Sequence, residues 1–144
     1  MGAQHAILYG VTSIVATVPV YPQRMHLIAN IAVLVVALLH LLFLVLEMFL
    51  WTKPFGRRTF GLSKELAEAT KGLAANQGLY NGFLAAGLIW GVTTGGVRVT
   101  HFFLACVIIA GIFGAFTAKR SILFVQAIPG MIALALLVAA VRMG

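Results

Sequence analysis

Acidic side chains are nearly missing from this chain. Glu47, Glu65 and Glu68 stand alone against ten lysines and arginines in 144 residues, a formal net charge of +7. Charged residues of both signs make up 9% of the sequence and hydrophobic ones 62%. Soluble domains carry about 25% charged residues, so a soluble globular protein is excluded. Cysteine is equally scarce: the single Cys106 rules out an intrachain disulfide and a thiolate metal cluster, and it reads as a small buried hydrophobe. No metal-ligand spacing or nucleotide-binding motif occurs, so neither a metal nor a cofactor is expected. The positive balance does not point to nucleic acid, because the basic residues gather at the ends of apolar runs. That is where membrane orientation and lipid headgroups place them.

Hydrophobic runs are what the chain has in plenty. Four reach the roughly 20 residues that a span needs, at about 27–51, 73–92, 99–118 and 121–141. The expected fold is therefore all-α: a polytopic four-transmembrane-helix bundle over 25–144. The linker between the first two runs holds Lys53, Arg57, Arg58, Lys64 and Lys71, and Lys119 and Arg120 lie between the last two. Arg24, Arg98 and Arg142 remain for the opposite side. The positive-inside rule then puts both linkers in the cytoplasm and both termini outside. Residues 1–24 hold an apolar stretch of about 15 residues, short for a span, and are expected to be a peripheral or dispensable extension.

Within the first linker, Ser63 is a plausible N-cap. After it, Leu66, Ala69 and Leu73 continue a stripe begun at Leu62. Their spacing predicts a short amphipathic helix at the membrane surface that leads into the second run, with Glu65 and Glu68 complementing the dipole of its first turns.

Polar groups inside the apolar runs mark the candidate site. A charge at membrane depth costs roughly 2.5–3.5 kcal/mol on insertion scales, so Glu47 is neutralised, hydrated or partnered, or reaches back toward Lys53 or Arg57. His40 lies seven residues upstream, on nearly the same helix face and about 10 Å away along the axis. The second run carries Asn76, Gln77, Tyr80 and Asn81 within an arc of about 140°. Beside them Gly78 and Gly82 form a GxxxG pair that permits close helix approach; the expected partner is the third run, with its own small residues Ala110, Gly114 and Ala118. Gln126 in the fourth run lies at a similar depth, and Pro129 frees the carbonyl of Val125 one turn back. Glu47, His40, Asn76, Gln77, Tyr80, Asn81 and Gln126 are thus expected to converge in the cytoplasmic half of the bilayer.

The segments HLLFLVLEMFLW at 40–51, NQGLYNGFLAAGL at 76–88, AGIFGAF at 110–116 and ILFVQAIPGMIALAL at 122–136 resemble a bacterial integral membrane family known as domain of unknown function 1304. The resemblance covers about 25–141. It implies a four-helix inner-membrane protein and carries no assigned activity. The family usually begins near Met25, so 1–24 depart from its pattern.

Three functions fit the residues. In the first, the pocket binds or converts a small lipophilic molecule by isomerase-like chemistry: Glu47 acts as general acid/base, His40 as its proton partner, and Asn76 and Tyr80 polarise an oxygen. The second is a proton-coupled small carrier or exporter in which Glu47 exchanges H⁺ for ligand. The third is an accessory subunit of a larger membrane complex, or a homo-oligomer, with the polar arc against its partner.

Overall fold

A computed structural model describes residues 20–143, and every regular element among them is helical. Helix α1 runs over Val20–Met48, α2 over Pro54–Phe60, α3 over Lys64–Thr93, α4 over Val97–Thr117 and α5 over Ile128–Met143. A π-helical turn, Leu123–Ala127, leads into α5. The expectation for residues 1–24 falls almost wholly outside the described residues. Where the two overlap, α1 starts at Val20, upstream of the expected 27. Pro22 sits in its first turn, where a missing N–H interrupts no helical bond.

Among the described residues, three helices are long and apolar enough to cross a membrane: Gln23–Met48, Val97–Thr117 and Leu123–Met143. This is a membrane protein, and four such spans were expected. The second expected span, 73–92, lies within α3, which is 30 residues long but less apolar than the others. Asn76, Gln77 and Asn81, the residues that make α3 a candidate for the site, lower its hydropathy together with Lys64, Glu65, Glu68 and Lys71 in its first turns.

All four long helices nonetheless share one core. Ala29, Val33, Val36 and Ala37 of α1 meet Leu88 of α3, Leu104 and Val107 of α4, and Ala133, Leu137 and Ala140 of α5. Outward faces carry large apolar side chains, as Leu38, Ile109 and Phe113 do, and Phe116 is 87% exposed. An apolar exterior around an equally apolar core suits lipid as the solvent, where helices associate by close packing instead of hydrophobic exclusion.

Small residues set the helix contacts, and they correct one expectation. Gly78 and Gly82 face α1, not α4. A Cβ on Gly78 would lie 3.1 Å from the Leu44 carbonyl oxygen and from the Met48 nitrogen, and one on Gly82 would meet Leu44 Cδ1 at 2.6 Å. The α3–α4 contact is made one to three turns later, where Gly87 lies under the Phe103 ring and Gly91 against Thr100. Gly111 of α4 touches the Ala127 backbone in the π-helical turn.

The π-helical turn accounts for Pro129. Without an N–H, proline cannot continue the ordinary ladder, and the local register opens so that Ile128 N–H bonds to Leu123 O. Such turns relieve helix strain at a cost in regularity.

The linker is folded throughout. Pro54 stands at the start of α2, and Gly61, with φ of 71°, closes it, the usual helix start and stop residues. Ser63 caps α3 as expected, its Oγ accepting from Leu66 N–H at 3.1 Å. The amphipathic segment after Ser63 is not a separate helix but the first turns of α3 itself.

Candidate functional site

Glu47 ends up one residue from the end of α1, and Asn81 sits two turns into the apolar part of α3. The antiparallel crossing at Gly78 and Gly82 brings the two together: Asn81 Nδ2 donates to Glu47 Oε2 at 2.8 Å. Asn81 is buried and Glu47 half-buried. The small side chains around this pair let α1 and α3 approach closely enough for a short amide to reach a carboxylate. Among the described residues the one ion pair is Lys71–Glu68 at 3.1 Å, so neither Lys53 nor Arg57 neutralises Glu47.

The carboxylate is not sealed in. It lines a cleft of about 320 Å³ together with Met48, Phe49, Trp51, Thr52, Lys71, Gly72 and Ala75. The cleft opens where α1 ends and α3 begins. Its wall is held by Trp51, whose Nε1–H donates to Thr70 Oγ1 at 3.0 Å and whose ring packs on Phe60 at 4.7 Å. Neither contact was anticipated from sequence. The cues were the Pro54 and Gly61 signals around α2, which bring Phe60 back against the end of α1.

His40 is completely buried. Its Nδ1 lies 2.8 Å from the Val36 carbonyl, which fixes the proton on Nδ1 and leaves Nε2 as an acceptor. That Nε2 is buried without a hydrogen-bond partner, an unusual state for a core polar atom. Phe43 packs edge-on against the imidazole at 6.3 Å. Two helical turns, about 10 Å along the axis, separate His40 from Glu47.

The remaining expected residues go elsewhere. Asn76, Gln77 and Tyr80 lie on the exposed face of α3, and Tyr80 makes an edge contact with Phe83. Gln126 turns to α4, donating to the Val107 carbonyl at 3.2 Å. Of the seven residues expected to converge, Glu47 and Asn81 are joined directly, and His40 lies beneath them on the same helix. No group of three or more His, Cys, Asp or Glu suited to a metal ion occurs among the described residues.

Residues 34–138 match the model of a family described as "Protein of unknown function (DUF1304)". The chain is 29% identical over 106 residues to "Uncharacterized protein YpaA" of Lactococcus lactis subsp. lactis (strain IL1403), covering 71% of this chain and 89% of that protein. No solved structure matches.

Proposed function

This chain belongs to the DUF1304 family of proteins of unknown function, and we propose that it binds a small lipophilic molecule at the Glu47–Asn81 pair. In this reading α3 crosses the bilayer beside α1, α4 and α5. Its length, about 45 Å at the usual rise, and its share in the common core support a fourth crossing. The basic residues at 52–72 and 119–120 then mark the cytoplasmic side of a bacterial inner membrane, and both termini lie outside.

One observation carries the binding reading. A carboxyl group with an amide donor and, among the described residues, no ion-paired cation borders an open, largely apolar cleft. Glu47 keeps acceptor capacity after the Asn81 bond in either protonation state, because a carboxyl group offers several lone-pair sites. A ligand with an amine or hydroxyl head and an apolar body would satisfy it, with Trp51, Phe49 and Met48 flanking the body. Acid/base conversion is a narrower case of the same site. Direct proton exchange needs groups about 2.6–3.2 Å apart, so Glu47 and His40 act on one substrate only if it extends along α1 between them.

A second reading is favoured by the exposed Asn76, Gln77 and Tyr80. Polar side chains at membrane depth face protein or water, so this arc would pack against another subunit of a homo-oligomer or larger assembly.

Mass spectrometry of organic extracts tests the first reading. The parent should carry a molecule that Glu47→Gln, which has a similar shape, loses or retains far less of. Equal recovery from parent, Glu47→Gln and Asn81→Leu would overturn ligand binding at this pair.

A further inference from the structure

The linker between α1 and α3 is a rigid platform, and its chemistry is unlike that of the Glu47 cleft. Gly56 is buried against the end of α1, where a side chain would collide with the Leu50 carbonyl. Only glycine lets α2 rest backbone to backbone on that helix end. Trp51 then stacks on Phe60 and bonds to Thr70, and the α2 terminus is closed by Leu62 N–H to Arg57 O at 2.8 Å and Gly61 N–H to Arg58 O at 3.3 Å. The segment is therefore fixed at both ends.

Basic groups dominate this platform. Lys53, Arg57, Arg58, Lys64 and Lys71 face two acids, Glu65 and Glu68. Glu68 is already paired with Lys71. The Glu65 carboxyl is held below its usual range, first by its own backbone amide and the Ser63 hydroxyl at the helix cap, with a smaller pull from the Arg57 charge. Lys53, Arg58 and Lys64 are exposed. Arg57 is half-buried, and its Nε is a buried donor with no acceptor. Three exposed cations beside this half-buried guanidinium, with Glu68 already paired, leave an excess of positive charge that complements an anion.

Apolar groups frame these charges. Phe49, Phe55 and Leu73 are each more than 60% exposed, and Leu66 is 50% exposed. A free inorganic anion would gain nothing from that frame, whereas an amphiphile would. We propose that this platform binds the phosphate of an anionic phospholipid, with the Arg57 guanidinium as its fork, Arg58 and Lys53 as supporting charges, and the exposed aromatic and leucine side chains against the acyl chains. Guanidinium groups recognise phosphate bidentately, which lysine does not. The platform shares Phe49 and Lys71 with the rim of the Glu47 cleft, but Lys53, Arg57 and Arg58 lie outside that lining.

Native mass spectrometry of the full chain released from detergent, with phosphatidylglycerol and phosphatidylcholine as competing probes, tests the assignment. The parent should retain phosphatidylglycerol preferentially. Removing basic residues should reduce that preference by about fivefold per charge, so Arg57→Gln combined with Arg58→Gln should nearly abolish it. Lys119→Gln combined with Arg120→Gln, in the other basic loop, should leave it intact. Arg57→Lys keeps the charge and any electrostatic support of folding, and should still lose most of the preference. Retention equal to the parent in either Arg57 variant, or an equal loss in the control pair, overturns the proposal. Displacement of the lipid by inorganic phosphate at constant ionic strength would assign the site to a free anion and overturn it as well.

Discussion

Gly111 and Gly82 look alike in sequence, yet alanine should be costly at the first position and nearly neutral at the second. A Cβ at Gly111 would lie 2.7 Å from the Ala127 nitrogen and 3.0 Å from its Cα. Both are backbone atoms of the π-helical turn, and that turn is itself tied to α4 through Gln126 and the Val107 carbonyl. Neither helix can yield without losing contacts elsewhere. A Cβ at Gly82 would meet a single close atom, Leu44 Cδ1 at 2.6 Å, with the next, Cγ, at 3.8 Å. Rotation of one leucine terminus clears it. Overpacking typically costs about 1–3 kcal/mol, while replacing a helical glycine by alanine returns up to about 1 kcal/mol. Gly111→Ala should therefore lose about 1–2 kcal/mol, and Gly82→Ala should stay within about 0.5 kcal/mol of the parent. Unfolding of the two variants in one detergent, followed by circular dichroism, measures the difference. A Gly111→Ala protein as stable as Gly82→Ala would refute the close approach of α4 to the π-helical turn.

Two further outcomes follow from the linker. Trp51→Phe keeps the ring on Phe60 but removes the donor to Thr70, and should cost about 0.5–1.5 kcal/mol in the same unfolding assay. Ser63→Ala removes the cap of α3 and should cost about 1 kcal/mol. The depressed Glu65 carboxyl at this cap stabilises the fold above its unfolded pKa, and that contribution is lost as pH falls through the lower folded value. Glu65→Gln should accordingly flatten the acid limb of a stability–pH profile, and an unchanged limb would contradict the assignment.

Much of this structure was legible from residue pattern. Apolar run lengths located α1, α4 and α5, and Ser63 marked the start of α3. The polar arc on α3 was legible as a group but not as individual contacts. Angular position alone placed Asn76, Gln77, Tyr80 and Asn81 together, whereas the face that meets α1 is defined by Ala74, Gly78 and Ala85, all of them buried. Asn81 shares that face, and the other three do not. The partner of the GxxxG pair was misread for a related reason. Small residues announce that a backbone comes close, and both α1 and α4 can answer. Here α1 presents a main-chain surface at Leu44 and Met48, while Gly111 of α4 meets the π-helical turn, Gly114 meets Ile122, and Ala110 is exposed. Gln126 could not be placed from depth alone, because the register shift at Pro129 changes which helix it addresses. Helix α2 was missed although Pro54 and Gly61 bracket it, since PFGRRTF is too short to show a helical period.

The central claim is that Glu47 and Asn81 form one coupled polar pair at the α1–α3 crossing. A double-mutant cycle on unfolding free energy tests it, with Glu47→Leu, Asn81→Leu and the combination. Each single change leaves a polar group without its partner, and the second relieves that cost. The combined loss should then fall short of the sum by about 0.6–1.7 kcal/mol, the range of interhelical hydrogen bonds in membranes. Losses that add to within about 0.3 kcal/mol would contradict the pair.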